Sequence, residues 1–100
     1  MNPVAIATVS ELPDRVPTYA LVANVDLVIV RWDAEFSVLH GRCKHRGALL
    51  SDGHIEGENL LCGLHGWDYR FKTGVSEYND KERLERFAHW VEGGQLWVGA

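Results

Sequence analysis

Residues 43–67 read CKHRGALLSDGHIEGENLLCGLHGW, and this stretch decides the fold. It holds both cysteines of the chain, three of its five histidines and five of its ten glycines. Written as spacing it is Cys43-x-His45, sixteen residues, then Cys62-x-x-His65. Each half is glycine-rich, with Gly41 and Gly47 around the first and Gly63 and Gly66 around the second. Glycine allows a backbone to turn with positive φ and to approach a prosthetic group closely. Two loops, each offering one thiol and one imidazole, form a pincer around something.

The segments on either side are short, β-prone and frequently punctuated. Val4–Val9, Tyr19–Ala23, Leu27–Trp32, Phe36–His40, Asn59–Cys62, Trp67–Phe71, Phe87–Val91 and Gln95–Val98 read as strands. Turns are expected at Asn24-Val25-Asp26, at Asp33-Ala34, at Lys72-Thr73-Gly74 and at the two-residue hairpin Gly93-Gly94. Asn79–Phe87 has an Asn cap and good helix formers but few apolar anchors, so a loop or single helical turn is expected there. The pattern predicts an all-β fold, an antiparallel sandwich or barrel, with Trp32, Trp90 and Trp97 in its core.

Length and composition bound the rest. One hundred residues make one domain, 1–100, whose core is real but marginal and would profit from a metal staple. A net charge of −4 argues against nucleic acid as a partner. The most apolar run, Tyr19–Val30, is broken by Asn24 and Asp26 and falls short of the roughly 20 residues needed to span a membrane. The N-terminus lacks the basic and apolar regions of a secretory signal, and with two cysteines a reducing cytoplasm is expected.

Several chemistries could use the pincer. Two unrelated buried cysteines would leave the pairing of each with a histidine to chance. A Cys43–Cys62 disulfide leaves both histidines unexplained and suits the wrong compartment. A cysteine nucleophile with a histidine base uses one pair and wastes the other. A metal uses all four residues. Tetrahedral Cys₂His₂ zinc is one form, in an interaction module, although zinc modules more commonly group their cysteines together. A two-iron cluster with both thiolates on one iron and both imidazoles on the other is the second, and there each mixed loop reaches both irons.

Cys43-Lys-His45-Arg-Gly47 and Cys62-Gly-Leu-His65-Gly66-Trp67 resemble the two boxes of the Rieske [2Fe–2S] family, C-x-H-x-G and C-x-x-H-G. The likeness extends over Val28–Val98, including the insert between the boxes and the hairpin DYRFKTG after the second. It implies antiparallel sheets with a small cluster-binding subdomain, here about residues 41–73. It also implies one [2Fe–2S] cluster, with Cys43 and Cys62 on the inner iron and His45 and His65 on the outer, solvent-facing iron. Gly47, Leu64, Gly66, Trp67 and Tyr69 then surround the ligands, Leu64 and Trp67 as shields, with core packing an equal alternative for Trp67, and Tyr69 as a hydroxyl donor to a ligand thiolate.

Members resembling respiratory-complex subunits carry one extra cysteine per box, forming a disulfide. Those positions here are Ala48 and Leu64. Such members also place a serine after the second His-Gly, where this chain has Trp67, as many ring-hydroxylating oxygenases do. Fewer hydrogen bonds to cluster sulfurs mean a lower potential, so the midpoint is expected in the lower half of the range of about −150 to +300 mV. Exposed imidazole ligands imply that it falls at alkaline pH.

Oxygenases of this family pair the Rieske domain with a mononuclear-iron domain, for which this chain is too short. By itself the chain therefore reads as a non-catalytic relay of single electrons, with a flavin reductase, an oxygenase or an attached flavoprotein domain as its redox partner. It resembles a free ferredoxin, and the run from Gly47 to Asn79 also resembles the N-terminal Rieske domains of glutamate-synthase-like flavoproteins. His40, His54 and His89 are expected to be ordinary strand or surface histidines. Arg42, Lys44, Arg46, Arg70 and Lys72 gather half of the positive charge beside the ligand loops, where it could steer an acidic partner or simply be solvated.

Overall fold

The computed structural model describes residues 2–43, 47–62, 68–77 and 81–99. Nine strands lie among them: β1 (Val4–Thr8), β2 (Thr18–Val22), β3 (Val25–Trp32), β4 (Glu35–His40), β5 (His54–Glu56), β6 (Asn59–Leu61), β7 (Asp68–Arg70), β8 (Ala88–Glu92) and β9 (Gln95–Gly99). They form three antiparallel sheets of order β1-β9-β8, β2-β3-β4 and β5-β6-β7. Two short 3₁₀ turns, Val9–Glu11 and Leu50–Asp52, complete the regular structure among the described residues. The all-β expectation is met, and β5 is a strand that the sequence pattern did not single out.

Strand β3 organises the molecule. Leu27, Val28, Ile29 and Val30 in it are all buried, which explains the unbroken apolar run: both faces of the strand are covered. Alternation along the strand divides the core in two. Leu27 and Ile29 face a cluster with Leu12, Ala20, Val22, Phe36, Val38, Leu96 and Val98. Val28, Val30 and Trp32 face a second cluster with Leu39, Leu50, Leu60, Tyr69, Phe71, Leu84 and both cysteines. The thiols thus belong to the core under the even-numbered face of β3.

Two local expectations need correction, the β2–β3 turn and the tryptophans. The β2–β3 turn is Ala23-Asn24, both with positive φ (49° and 65°), while Val22 pairs with Val25. A two-residue turn of this hand matches the strand twist, so β3 starts at Val25 and Asp26 sits in the strand rather than in the turn. Gly93 and Gly94 make the same kind of turn between β8 and β9, as expected. The described part of 79–87 is a loop, one of the two forms expected: Arg83 bridges Val75, Arg86 bridges Leu39, and the buried Leu84 anchors an extended course. Asn79 and Asp80 lie outside the described residues. Among the described tryptophans only Trp32 is core; Trp97 is half-buried and Trp90 is 38% exposed. The Trp90 ring lies over Gly99, on the outer side of its sheet, where a β-carbon would come within 3.1 Å of it.

Candidate metal centre

The first loop leaves β4 through Gly41, which lies against the backbone of β3 so closely that a β-carbon would stand 2.8 Å from the Leu27 carbonyl carbon. The Gly41 N–H donates to the Asp26 carbonyl at 2.8 Å. Leu50 N–H donates to the Gly41 carbonyl, and Cys43 N–H to the Ala48 carbonyl, both at 2.8 Å. Gly47 N–H donates to the Cys43 carbonyl at 3.0 Å, and Gly47 itself has φ +68°, which explains the glycine. The base of the loop is therefore closed by backbone hydrogen bonds that leave Cys43 next to the core.

The second loop follows β6. Gly53 allows that approach, because a β-carbon there would stand 1.8 Å from the Leu61 carbonyl oxygen. Cys62 comes directly after this contact. Both thiols are 2% exposed and outside any disulfide, packed in one cluster with Leu50, Leu60, Tyr69 and Phe71. The Tyr69 hydroxyl, on β7 and itself fully buried, lies 3.8 Å from Cys43 Sγ. A residue of the hairpin that carries Cys62 thus touches the sulfur of the other loop. His45 and His65 lie outside the described residues, as do Lys44, Arg46, Leu64, Gly66 and Trp67.

The remaining histidines have local contacts. His40 Nδ1 accepts from the Arg42 N–H at 3.4 Å, His54 faces Glu56 at 3.0 Å, and His89 Nδ1 lies 3.1 Å from the Phe87 carbonyl.

The described cations beside the loops are engaged within the chain. Arg42 Nε binds Asp26 at 2.7 Å, Arg70 binds Glu77 at 3.2 Å, and Lys72 Nζ binds Glu58 at 2.6 Å while lying 5.8 Å from the Trp32 ring. The Tyr19 hydroxyl and then the Arg42 guanidinium hold the Asp26 carboxyl below the usual carboxylate range, and Lys72 does the same for Glu58. The hydrogen bond to Asp26 pushes the Tyr19 phenol up. The expected positive patch is therefore largely compensated where it is described. Asp26 and Tyr19 were not recognised as parts of the site in the sequence, since nothing local ties positions 19, 26 and 42 together.

Two buried thiols, neither in a disulfide, under an apolar cover and with a hydroxyl beside one of them, suit thiolate ligation of an iron–sulfur group. Burial at 2% leaves a nucleophile little access to a substrate.

Comparison with known proteins agrees. The model of the Rieske [2Fe–2S] domain matches residues 2–88. The methylxanthine N1-demethylase of Pseudomonas putida is 28% identical over 93% of this chain, which spans 30% of that protein. The 3-phenylpropionate/cinnamic acid dioxygenase ferredoxin subunit of Photorhabdus laumondii is 32% identical over 74% of this chain and 70% of its own length. The ferredoxin of carbazole 1,9a-dioxygenase from Nocardioides aromaticivorans superposes with a TM-score of 0.89 at 25% identity, over 98% of this chain and 97% of that one.

Proposed function

The chain belongs to the Rieske [2Fe–2S] domain family and carries one such cluster, and on that footing we propose that it relays single electrons from a reductase to the terminal component of an oxygenase system. The ligands in this reading are Cys43 and Cys62 on the inner iron and His45 and His65 on the outer. The observation that carries it is the pair of thiols at 2% exposure, neither in a disulfide, each beside a glycine-bearing stretch of sequence, with the Tyr69 hydroxyl against Cys43. The cluster, when bound, supplies a one-electron couple.

The chain's own residues hold and tune that couple. Leu50, Leu60 and Phe71 keep water from the thiolates, and Tyr69 donates to Cys43. Gly47 gives the first loop its turn with φ +68°, and in this reading Leu64, Gly66 and Trp67 are the sequence neighbours of the second pair of ligands. Residues 1–100 act as one domain, with about 41–73 as the cluster-binding part. Two cysteines outside any disulfide favour a reducing compartment, the cytoplasm. Substrate chemistry belongs to the partner: ferredoxin subunits of dioxygenase systems are matched over most of their length, and their role is the one proposed here. The midpoint lies in the lower half of the Rieske range, which spans about −150 to +300 mV.

Iron and acid-labile sulfide analysis, with an EPR spectrum of the dithionite-reduced protein, tests the ligand set. The expected result is two irons, two sulfides and a rhombic signal, lost in Cys43→Ser and in His65→Ala. A colourless protein holding one zinc ion would overturn it. Stopped-flow bleaching on mixing with the reductase and oxygenase of a Rieske dioxygenase system tests the relay.

A further inference from the structure

We propose that Arg42 is the positioning residue of the first ligand loop, fixing it to β3 where this chain has no covalent brace. The inference rests on the cluster reading above. Arg42 directly precedes Cys43, and its guanidinium uses two edges at once. Nε donates to Asp26 Oδ2 at 2.7 Å, and Nη1 donates to the Gly47 carbonyl at 2.6 Å. Arg42 and Gly47 flank residues 43–46, so this one side chain joins the two ends of the loop to each other and to β3. Asp26 is held in turn: the Tyr19 hydroxyl donates to its Oδ1 at 2.6 Å, and its carbonyl accepts the Gly41 N–H at 2.8 Å. Its side chain is 20% exposed and that of Arg42 is 46% exposed, so the anchor rests on the number and geometry of its contacts rather than on burial.

The competing view is a solvated ion pair that adds nothing measurable, or a charge that greets a partner. Three features separate them. An exposed pair makes one contact in high dielectric and is weak. Here the planar fork spends separate N–H groups on a carboxylate and on a main-chain carbonyl of the ligand loop, which a lysine ammonium on a flexible stem does not reproduce. Finally, a guanidinium committed to two in-chain acceptors is poorly placed to meet a partner.

A comparable network elsewhere provides a control. Asp14 pairs with Arg15 at 2.6 Å and accepts the Asp33 N–H at 2.8 Å, tying the 13–17 loop to the β3–β4 turn. Trp32, the last residue of β3 before Asp33, lies six residues beyond Asp26, about 20 Å away at the strand rise.

The test uses cluster-loaded wild type, Arg42→Lys, Arg42→Gln, Asp26→Asn, the double variant Arg42→Gln/Asp26→Asn, and Asp14→Asn. The readouts are the rate of iron loss to a chelator and the g-values of the reduced signal. Arg42→Lys keeps the charge, so any change in it reports the anchor rather than the field at the cluster. We expect iron loss to speed up about threefold or more in the first three variants, the scale of one modest hydrogen bond. The double variant should be no faster than the faster single, because both substitutions cut one network. The g-values should shift in Arg42→Lys, and Asp14→Asn should match wild type. Arg42→Lys or Asp26→Asn at the wild-type rate with unchanged g-values would overturn the anchor, and so would an equal effect in Asp14→Asn. A wild-type protein with no iron and no sulfide would overturn the cluster reading, and this inference with it; a loaded wild type with unaffected variants sinks the anchor alone.

Discussion

Replacing Tyr69 by phenylalanine removes a single hydroxyl from a fully buried site and isolates its effect on the cluster. The hydroxyl lies 3.8 Å from Cys43 Sγ, and once that sulfur is a metal-bound thiolate the hydroxyl must be the donor. A hydrogen bond to a charged group is worth about 1.5–3 kcal/mol. Only the part that differs between oxidation states moves the potential, and at this long separation a quarter to a third of it is a reasonable share, about 0.4–1.0 kcal/mol. For one electron, 59 mV corresponds to a tenfold change, or about 1.4 kcal/mol. The phenylalanine variant should therefore have a midpoint about 15–40 mV below wild type. The direction follows because the reduced cluster carries the extra negative charge and draws more from the donor. Redox titration followed by visible absorbance measures it, on proteins matched for iron and sulfide content. A midpoint that rises, or that stays within about 5 mV of wild type, would refute the assignment of Tyr69 as a donor to the centre.

Gly53→Ala should be severe, because its β-carbon would stand 1.8 Å from the Leu61 carbonyl oxygen, one residue before Cys62. Overpacking of this kind costs about 1–3 kcal/mol or more, and both a lower melting temperature and reduced iron content are expected; wild-type iron content would contradict the tight approach. Ala23→Asn should stabilise, since Ala23 holds φ +49° and asparagine tolerates the left-handed region better. Chemical denaturation should show a gain of about 0.5–1 kcal/mol, and a loss would count against the turn. The Asp14 carboxyl is held below its usual range, first by the Asp33 N–H and then by Arg15. A depressed folded value means that its stabilisation is present in full above the unfolded value near pH 3.9 and is lost as pH falls through the folded one. Denaturation midpoints of wild type and Asp14→Asn should differ at pH 6 and converge toward pH 3, and a gap that stays constant would refute the linkage.

Much of this was legible in the sequence, and the failures share a cause. Eight strands were readable because apolar runs, alternation and glycine turns are local signals, and Gly93-Gly94 carries its own turn chemistry. The spacing of Cys43 and Cys62 in glycine loops pointed to a centre for the same reason. Long-range register was not legible. Placing the β2–β3 turn one residue late put Asp26 in a turn, and nothing local then tied it to Arg42, whose charge was left as either steering or solvated. With the turn at Ala23-Asn24, Tyr19 and Asp26 belong to adjacent strands, and the carboxylate stands where it can take Tyr19 on one oxygen and Arg42 on the other. Lys72 and Arg70 were misread in the same way, since their partners Glu58 and Glu77 are brought alongside only by the β5–β7 sheet and the chain beyond it. Charge counted along the sequence overstates the field at a surface whenever the fold supplies counter-charges from distant segments. On this molecule the described basic residues beside the centre, Arg42, Arg70 and Lys72, each pair with a carboxylate of the chain itself, which compensates charge that the sequence shows as unbalanced.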